Sequence, residues 1–411
     1  MQAQNKKNDI KSLSMGCRLN ALESEKIQKM LSHVLDSAII LNSCAVTGEA
    51  ERQSGQTARK LARENPDVPI FVTGCAATRN PDLFYQIPNA LVISNRDKLS
   101  LSAYTDALAA APCNFNTTKS IKIAKPDSKL SKQFIQVQNG CNHKCAYCVT
   151  RLLRGPAISF DYADILADAK EAVKNGFYEI VLTGVDTASY AKDGKLISDV
   201  CKSLLKDVPE IRRLRISSMD PASPEIFKLI DLIKADKRMM PHMHLSMQSG
   251  SDEVLKSMRR RHNSDTVRKI AEYAGKDITF SWDIICGFPG ETDGLFQETM
   301  DLVAETQPIK IHAFPFSARP DTEAFNMPNQ INHSVAKERV KIISAASDKI
   351  RDNFMRQHLG GTVSVLVEEN NIARTPHDIS VKIQGNKIQP RTICDVKLVD
   401  VINGDYVGNI I

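Results

Sequence analysis

The sequence predicts an α/β protein in three parts: an N-terminal parallel-sheet domain, a partial TIM-like barrel of six βα units, and a small C-terminal β-barrel. Three observations predict it. Short apolar runs alternate with helical patterns over the first ~110 residues, the pattern of parallel α/β units. Six further alternations of the same kind follow from residue 133, two short of the complete eight-unit barrel. The last fifty or so residues switch to strand patterns separated by Gly and Asn turns, as in a small barrel.

In the first part the apolar runs are SLSMG (Ser12 to Gly16), AIILNSC (Ala38 to Cys44), PIFVTGC (Pro69 to Cys75) and ALVISN (Ala90 to Asn95). Helical patterns follow near 21–31, 47–64, 81–86 and 97–110, and Thr47 reads as an N-cap followed by Glu49 and Glu51. The polar, Lys-rich stretch 112–132 reads as a linker. The second part has strands at QFIQVQ (133–138), YEIVLTG (178–184), RRLRISS (212–218), HMHLSMQ (242–248), ITFSWDIICGF (278–288) and IKIHAFPF (309–316), then a long helix over roughly 334–356. TVSVLVEE, DISVKIQ, TICDVKLVDVI and DYVGNII supply the third part. The expected domains are therefore 1–111, the linker 112–132, 133–356 and 357–411.

Hydrophobic residues make up 42% of the 411, enough for a substantial core. MQAQNKKNDIK contains no apolar run, so neither signal peptide nor membrane anchor is expected, and the expected compartment is the cytoplasm. The net charge of +6 permits a nucleic-acid partner without requiring one. Lys119, Lys122, Lys125, Lys129 and Lys132 are opposed only by Asp127, and Arg259, Arg260 and Arg261 form a run. Each run alone reads as a solvated face; the arginines are also candidates for phosphate. From Thr362 onward five basic residues face six acids, a poor balance for non-specific phosphate attraction.

Ten cysteines in so long a chain do not make an extracellular disulfide scaffold. Cys141, Cys145 and Cys148 stand in CxxxCxxC spacing directly after a predicted strand. Three thiolates can hold three corners of a [4Fe–4S] cubane and leave the fourth iron open. The alternative, structural zinc, needs a fourth ligand; His143 stands too close in sequence for easy tetrahedral geometry. Cys17, Cys44 and Cys75 end the first three predicted strands, 27 and 31 residues apart, about one βα unit each time. In a parallel sheet the carboxyl ends of strands share one edge, where ligands bind. Singly, each would read as a core thiol; together they read as a second three-ligand site. Cys113, Cys201, Cys286 and Cys394 are isolated and read as core. No general acid or base emerges from the histidines and carboxylates.

GCRLNALESE (16–25), NSCAVTGEAERQS (42–54) and VTGC (72–75) resemble the N-terminal domain of the radical S-adenosylmethionine (SAM) methylthiotransferases. LTGVDTASY (182–190), RISSMDP (215–221), HLSMQSGSD (244–252), LKSMRRRH (255–262), DIICGFPGET (283–292) and HAFPFSARPDTEA (312–324) resemble their radical SAM barrel, and the C-terminal ~50 residues resemble the RNA-binding TRAM domain. The resemblance implies two [4Fe–4S] clusters, on Cys141, Cys145 and Cys148 and on Cys17, Cys44 and Cys75. It also implies two roles for SAM: one molecule donates a methyl group, and a second gives the 5′-deoxyadenosyl radical. GCRLN and Val185–Asp186 are similar to the type that methylthiolates C2 of N6-threonylcarbamoyladenosine at tRNA position 37. The type acting on isopentenyladenosine carries Gln–Asn there, and a third type modifies a ribosomal protein. By the same resemblance Tyr147, Thr183, Gly184, Ser217, Ser218, Gln248 and Gly287 lie at the SAM site. The implied partners are a tRNA anticodon stem-loop and an electron donor such as flavodoxin or ferredoxin, with the enzyme a monomer. Three departures from the family pattern stand at Val149–Thr150–Arg151, Ser159–Phe160 and Pro320–Asp321–Thr322. Asp tolerates left-handed backbone, so the last turn is expected to survive.

Overall fold

The computed structural model describes residues 9–111, 115, 121 and 131–411. Cys113 and Lys119, Lys122, Lys125 and Lys129 lie outside the described residues, as does most of the expected linker. The chain forms two compact units, one of residues 1–127, 140–142 and 148–156, the other of 128–139, 143–147 and 157–411.

The first unit is built on four parallel strands in chain order: β1 (Asp9–Ser14), β2 (Ser37–Ser43), β3 (Ile70–Gly74) and β4 (Ala90–Val92). Helices α1 (Arg18–Leu31), α2 (Gly48–Glu64), α3 (Cys75–Arg79), α4 (Asp82–Tyr85) and α5 (Leu101–Ala109) connect and follow them. Every residue of β2 is buried, because both faces of the sheet are covered. The two-residue period divides its side chains. Ile39 and Leu41 pack with Ala58 and Leu61 of α2, while Ala38 and Ile40 pack with Ile27 and Leu31 of α1 and with Tyr104. The Thr47 side chain accepts from the Ala50 N–H at 3.1 Å, the cap expected from the sequence. The short helix α3 follows β3 directly, before the helical pattern expected at 81–86.

The second unit begins with β5 (Gln133–Gln136) and β6 (Gln138–Asn139), so the run QFIQVQ breaks at Val137. Helix α6 (Thr150–Arg154) belongs to the first unit. β7 (Ile158–Ser159) pairs antiparallel with β6. There follow α7 (Tyr162–Lys174), β8 (Glu179–Thr183), a small hairpin of β9 (Ala191–Lys192) and β10 (Lys195–Leu196), α8 (Ile197–Asp207), β11 (Arg213–Ile216), α9 (Glu225–Ala235), β12 (His242–Gln248), α10 (Asp252–Ser257), α11 (Ser264–Ala274), β13 (Thr279–Cys286), α12 (Asp293–Thr306), β14 (Lys310–Pro315) and α13 (His333–Gln357). Two parallel sheets, β5–β8–β11 and β12–β13–β14, are linked by the bridges Leu214–Met239 and Met219–Leu245. Six strands thus follow one another in chain order as the expected partial barrel. β12 alternates strictly: Met243, Leu245 and Met247 join the helix-covered core, and His242, His244, Ser246 and Gln248 take the other face. Asp321 holds φ +73°, so the Pro–Asp–Thr turn survives.

The C-terminal strands β15 (Thr362–Val367), β16 (Ile372–Arg374), β17 (Ser380–Gln384), β18 (Ile393–Ile402) and β19 (Asp405–Ile410) close a five-stranded barrel. Of these five, β16 is the one the sequence pattern does not mark. This barrel is docked at the amino-terminal ends of β8 and β11. Arg213 donates to the carbonyls of Arg374 (3.0 Å) and Thr375 (2.8 Å), Arg215 to those of Pro376 (2.8 Å) and Thr375 (2.9 Å). The buried Glu179 carboxylate pairs with both arginines, at 2.6 and 2.9 Å. No helix among the described residues is long and apolar enough to cross a membrane.

Candidate cofactor sites

In the first unit the ends of β1, β2 and β3 deliver Cys17, Cys44 and Cys75 to one edge, as the strand spacing predicts. Cys17 is the N-cap of α1, Cys44 follows Ser43 directly, and Cys75 opens α3. Cys17 is exposed; the other two are buried. Burial pushes the Cys44 thiol up, and the neighbouring Cys75 and Cys17 sulfurs add to the rise. Gly16, at φ +89°, is required here: a Cβ on it would stand 2.6 Å from the Cys44 sulfur. Three thiols at one sheet edge, close enough for Cys75 and Cys17 to act on Cys44, fit a three-thiolate cluster by donor chemistry.

A chain of buried polar groups runs between two of these cysteines. The Cys17 thiol faces Asn20 Oδ1 at 3.8 Å, and Arg154 donates to that oxygen at 2.5 Å. Arg154 also donates to Glu23 Oε1 at 2.9 Å, while Lys98 reaches Glu23 Oε2 at 2.5 Å. Lys98 donates onward to Asn95 Oδ1 at 2.8 Å, and Asn95 Nδ2 donates to the Cys75 sulfur at 3.6 Å. Burial opposes the charge on Glu23, but Arg154 and Lys98 overcome it and hold the carboxyl below its usual range.

Of the cysteine loop, residues 143–147 with Cys145 belong to the second unit and are anchored there through backbone. The Ala146 N–H donates to the Met258 carbonyl (3.0 Å), and the Ala146 carbonyl accepts from Ala324 (2.9 Å). Tyr147 packs beside the cluster of Ala146, Met258 and Phe288. Here the reading of Arg259–Arg261 as a uniform solvated or phosphate-binding face is corrected. Arg260 is turned inward: its side chain is 7% exposed, and it donates to Cys145 Sγ (3.5 Å), Asp220 (3.2 Å) and the Ser246 carbonyl (2.8 Å). Only Arg259, paired with Glu323, and Arg261, bonded to Asp220, remain half exposed. The reversal at Arg259, whose φ is +57°, ends the regular helical spacing of the run. Burial resists ionisation of Asp220, but Arg260 and Arg261 hold it below the ordinary carboxylate range.

His143 lies 2.7 Å from Asp186 and 3.7 Å from Asp220. This His–Asp pair is absent from the sequence reading, which found no acid–base pair, because 43 residues separate its members. The Asp186 N–H donates to Gln138 Oε1 at 2.8 Å.

Of the residues expected at the SAM site, Thr183 ends β8 and is buried. Gly184 follows it; a Cβ there would stand 3.0 Å from Gln138 Oε1, the oxygen that holds Asp186. Ser217 bonds Thr187 (3.1 Å) and Ser218 bonds Ser246 (2.8 Å). Gln248 ends β12 with φ +73°. All five therefore lie at carboxyl ends of the parallel strands. Gly287 has a packing role: a Cβ would meet Ala336 of α13 at 2.5 Å. Sequence reasoning missed Arg154 and Lys98, and gave Asp220, Glu23, His143 and Arg260 other readings or none; Glu23, Asp220 and Arg260 stood in noted motifs, but nothing there marked them as buried. Cys201 and Cys286 are core residues, and burial pushes the Cys286 thiol up to about 12. Cys394 lines the core of the C-terminal barrel.

An incomplete parallel barrel with a three-cysteine loop after its first strand defines a radical SAM protein. Residues 135–303 match the radical SAM superfamily, and residues 9–94 match the uncharacterized protein family UPF0004. Among solved structures, a radical SAM methyltransferase from Kitasatospora setae, TsrM, superposes with a TM-score of 0.57 at 12% identity, covering 77% of each chain. That likeness is one of fold. Among curated relatives, the threonylcarbamoyladenosine tRNA methylthiotransferase MtaB of Rickettsia prowazekii is 40% identical over 90% of both chains. Its namesake in Chlamydia pneumoniae is 34% identical over 88% of this chain and 87% of that one. A tRNA-2-methylthio-N(6)-dimethylallyladenosine synthase of Endomicrobium trichonymphae is 29% identical over 91% and 93%. The chain belongs to the radical SAM methylthiotransferase family. It is an enzyme of that family, whose radical SAM domain uses SAM and a [4Fe–4S] cluster.

Proposed function

We propose that this enzyme methylthiolates C2 of N6-threonylcarbamoyladenosine at position 37 of tRNA, with two [4Fe–4S] clusters. Cys141, Cys145 and Cys148 hold one, and Cys17, Cys44 and Cys75 the other. The observation that carries the reading is the convergence of Cys17, Cys44 and Cys75 on one sheet edge, a second three-thiol site in a radical SAM chain. The choice of adenosine rests on the relatives at 40% and 34% identity, named for threonylcarbamoyladenosine, against 29% for the dimethylallyladenosine synthase.

When bound, the clusters and two SAM molecules supply a methyl group, a sulfur carrier and the one-electron chemistry that an unactivated C2–H requires. The chain's own residues position these parts. Arg260 donates to the Cys145 sulfur and places a fixed positive charge beside it. Thr183, Gly184, Ser217, Ser218 and Gln248, at the strand ends, contact SAM, with Tyr147 from the cysteine loop. Gly287 supports that edge by admitting α13. Lysines and arginines of the linker, barrel and C-terminal domain bind the anticodon stem-loop through phosphates. The enzyme works as a cytoplasmic monomer reduced by flavodoxin or ferredoxin.

The test is turnover on two synthetic stem-loops by the anaerobically reconstituted enzyme, read by nucleoside mass spectrometry. The threonylcarbamoyl substrate should gain a methylthio group, and the isopentenyl one should react poorly. Equal turnover on the second would overturn the substrate choice, and activity only on a ribosomal protein would overturn the RNA reading.

A further inference from the structure

We infer that the buried arc Asn20–Arg154–Glu23–Lys98–Asn95 is the built-in counter-charge of the N-terminal three-cysteine centre, and that Arg154 and Lys98 are positioning residues that set its redox potential. The inference rests on the two-cluster reading above.

The first argument is cost. Lys98 is 2% exposed, Arg154 has a 3% exposed side chain, and Glu23 is fully buried. Burying two cations with one anion is expensive, and an apolar cluster of equal volume often serves stability as well or better. Within the arc itself two cations stand against one carboxylate. One end of the arc donates to the Cys75 sulfur, and the other lies beside Cys17, whose thiol faces the Asn20 oxygen.

The second argument is charge balance. A [4Fe–4S] core in its oxidised 2+ state, held by three thiolates, carries one net negative charge. The arc carries one net positive charge, so the sum is zero in that state. Reduction adds an electron that the arc's cations stabilise. Cluster potentials are set by net charge, hydrogen bonds to sulfur and exposure. Asn95 supplies a hydrogen bond to the Cys75 sulfur, and Lys98 holds the Asn95 amide so that its nitrogen points there.

The third argument is placement. The arc draws on three separate elements: α1 supplies Asn20 and Glu23, the turn after β4 supplies Asn95 and Lys98, and α6 supplies Arg154. α6 begins two residues after Cys148. All three elements belong to the first unit.

The test uses the full chain with Cys141, Cys145 and Cys148 replaced by Ala, reconstituted anaerobically, so that only the N-terminal cluster remains. Its midpoint potential is read by an EPR-monitored titration. Lys98→Met and Arg154→Met remove a positive charge and should move the potential to more negative values. Glu23→Gln removes the negative charge and should move it the other way. The double variant Lys98→Met/Glu23→Gln should return close to the parent value, and Arg154→Lys should stay near it. Shifts of one sign for both the Lys98 and Glu23 variants, or none, overturn the inference and leave the two-cluster reading intact. If the parent protein with only Cys17, Cys44 and Cys75 holds no iron, the two-cluster reading fails and this inference falls with it. A simple structural staple would lower stability in every variant without opposite shifts in potential.

Discussion

Arg260 and Cys145 are joined by a 3.5 Å hydrogen bond from Nη1 to Sγ, on a guanidinium whose remaining contacts are Asp220 and the Ser246 carbonyl. A charged donor to a cluster sulfur is worth on the order of 1.5–3 kcal/mol. Arg260→Met should therefore lower the rate of SAM cleavage about 10- to 100-fold while iron content holds. Arg260→Lys should recover part of the rate. The measurement is 5′-deoxyadenosine released per cluster; an unchanged rate in Arg260→Met would remove Arg260 from the mechanism.

Iron content follows from the two cysteine triplets. Wild-type protein reconstituted without oxygen should hold about eight iron atoms, and either triple Cys→Ala variant about four. Gly16→Ala should behave like loss of Cys17, Cys44 and Cys75, because its Cβ would press on the Cys44 sulfur at 2.6 Å. It should lose about four irons and sulfur insertion, yet keep SAM cleavage. A fully loaded Gly16→Ala protein would contradict the cradle.

The C-terminal barrel cannot be cut away cleanly. Truncation at Thr362 would take the carbonyls of Arg374, Thr375 and Pro376 from Arg213 and Arg215. It should cost stability because these guanidinium N–H groups lose their carbonyl acceptors, so loss of RNA binding in that variant would be uninformative. Lys382→Glu and Lys397→Glu, both on exposed positions of β17 and β18, are the better probes. Each should weaken stem-loop binding and, if it removes one phosphate contact, reduce the salt slope by about 1. A filter-binding series over salt concentration measures both.

Acid should weaken the second unit through two histidines near this junction. Burial lowers His242 to about 3 and His377 to about 4. In the unfolded chain both return to about 6.5. Between those limits the unfolded state binds more protons, so stability rises with pH. Their contribution is complete above about pH 6.5 and is lost as pH falls through 4 and 3. The urea midpoint of the apo protein should drop over that window, with a slope of ~1.4 kcal/mol per pH unit for each histidine. His377→Asn should roughly halve the slope; an unaltered slope would exclude His377 as its source.

The sequence by itself determined the order of elements and singled out six cysteines as the proposed cluster ligands. Both are carried by local or strictly periodic signals. β2 reads as a buried strand because seven consecutive residues lose water on both faces. Cys17, Cys44 and Cys75 are legible because parallel topology returns the chain to the same edge once per βα unit. Asp321 was legible in the same way, since a left-handed turn is a property of a few residues.

Tertiary structure alone decided which charges are buried and against what. Glu23 finds Lys98 75 residues away and Arg154 131 residues away, and no sequence period connects positions at those separations. Arg260 looks identical to its two neighbours in the chain, yet it alone turns inward to Cys145, because Asp220 and Ser246 wait there on other strands' ends. Gly287 resembles a cofactor-facing turn in sequence, but the approach of Ala336, from a helix 49 residues on, explains it. An ion pair or a close approach is selected by what stands opposite, and only the folded chain places that partner.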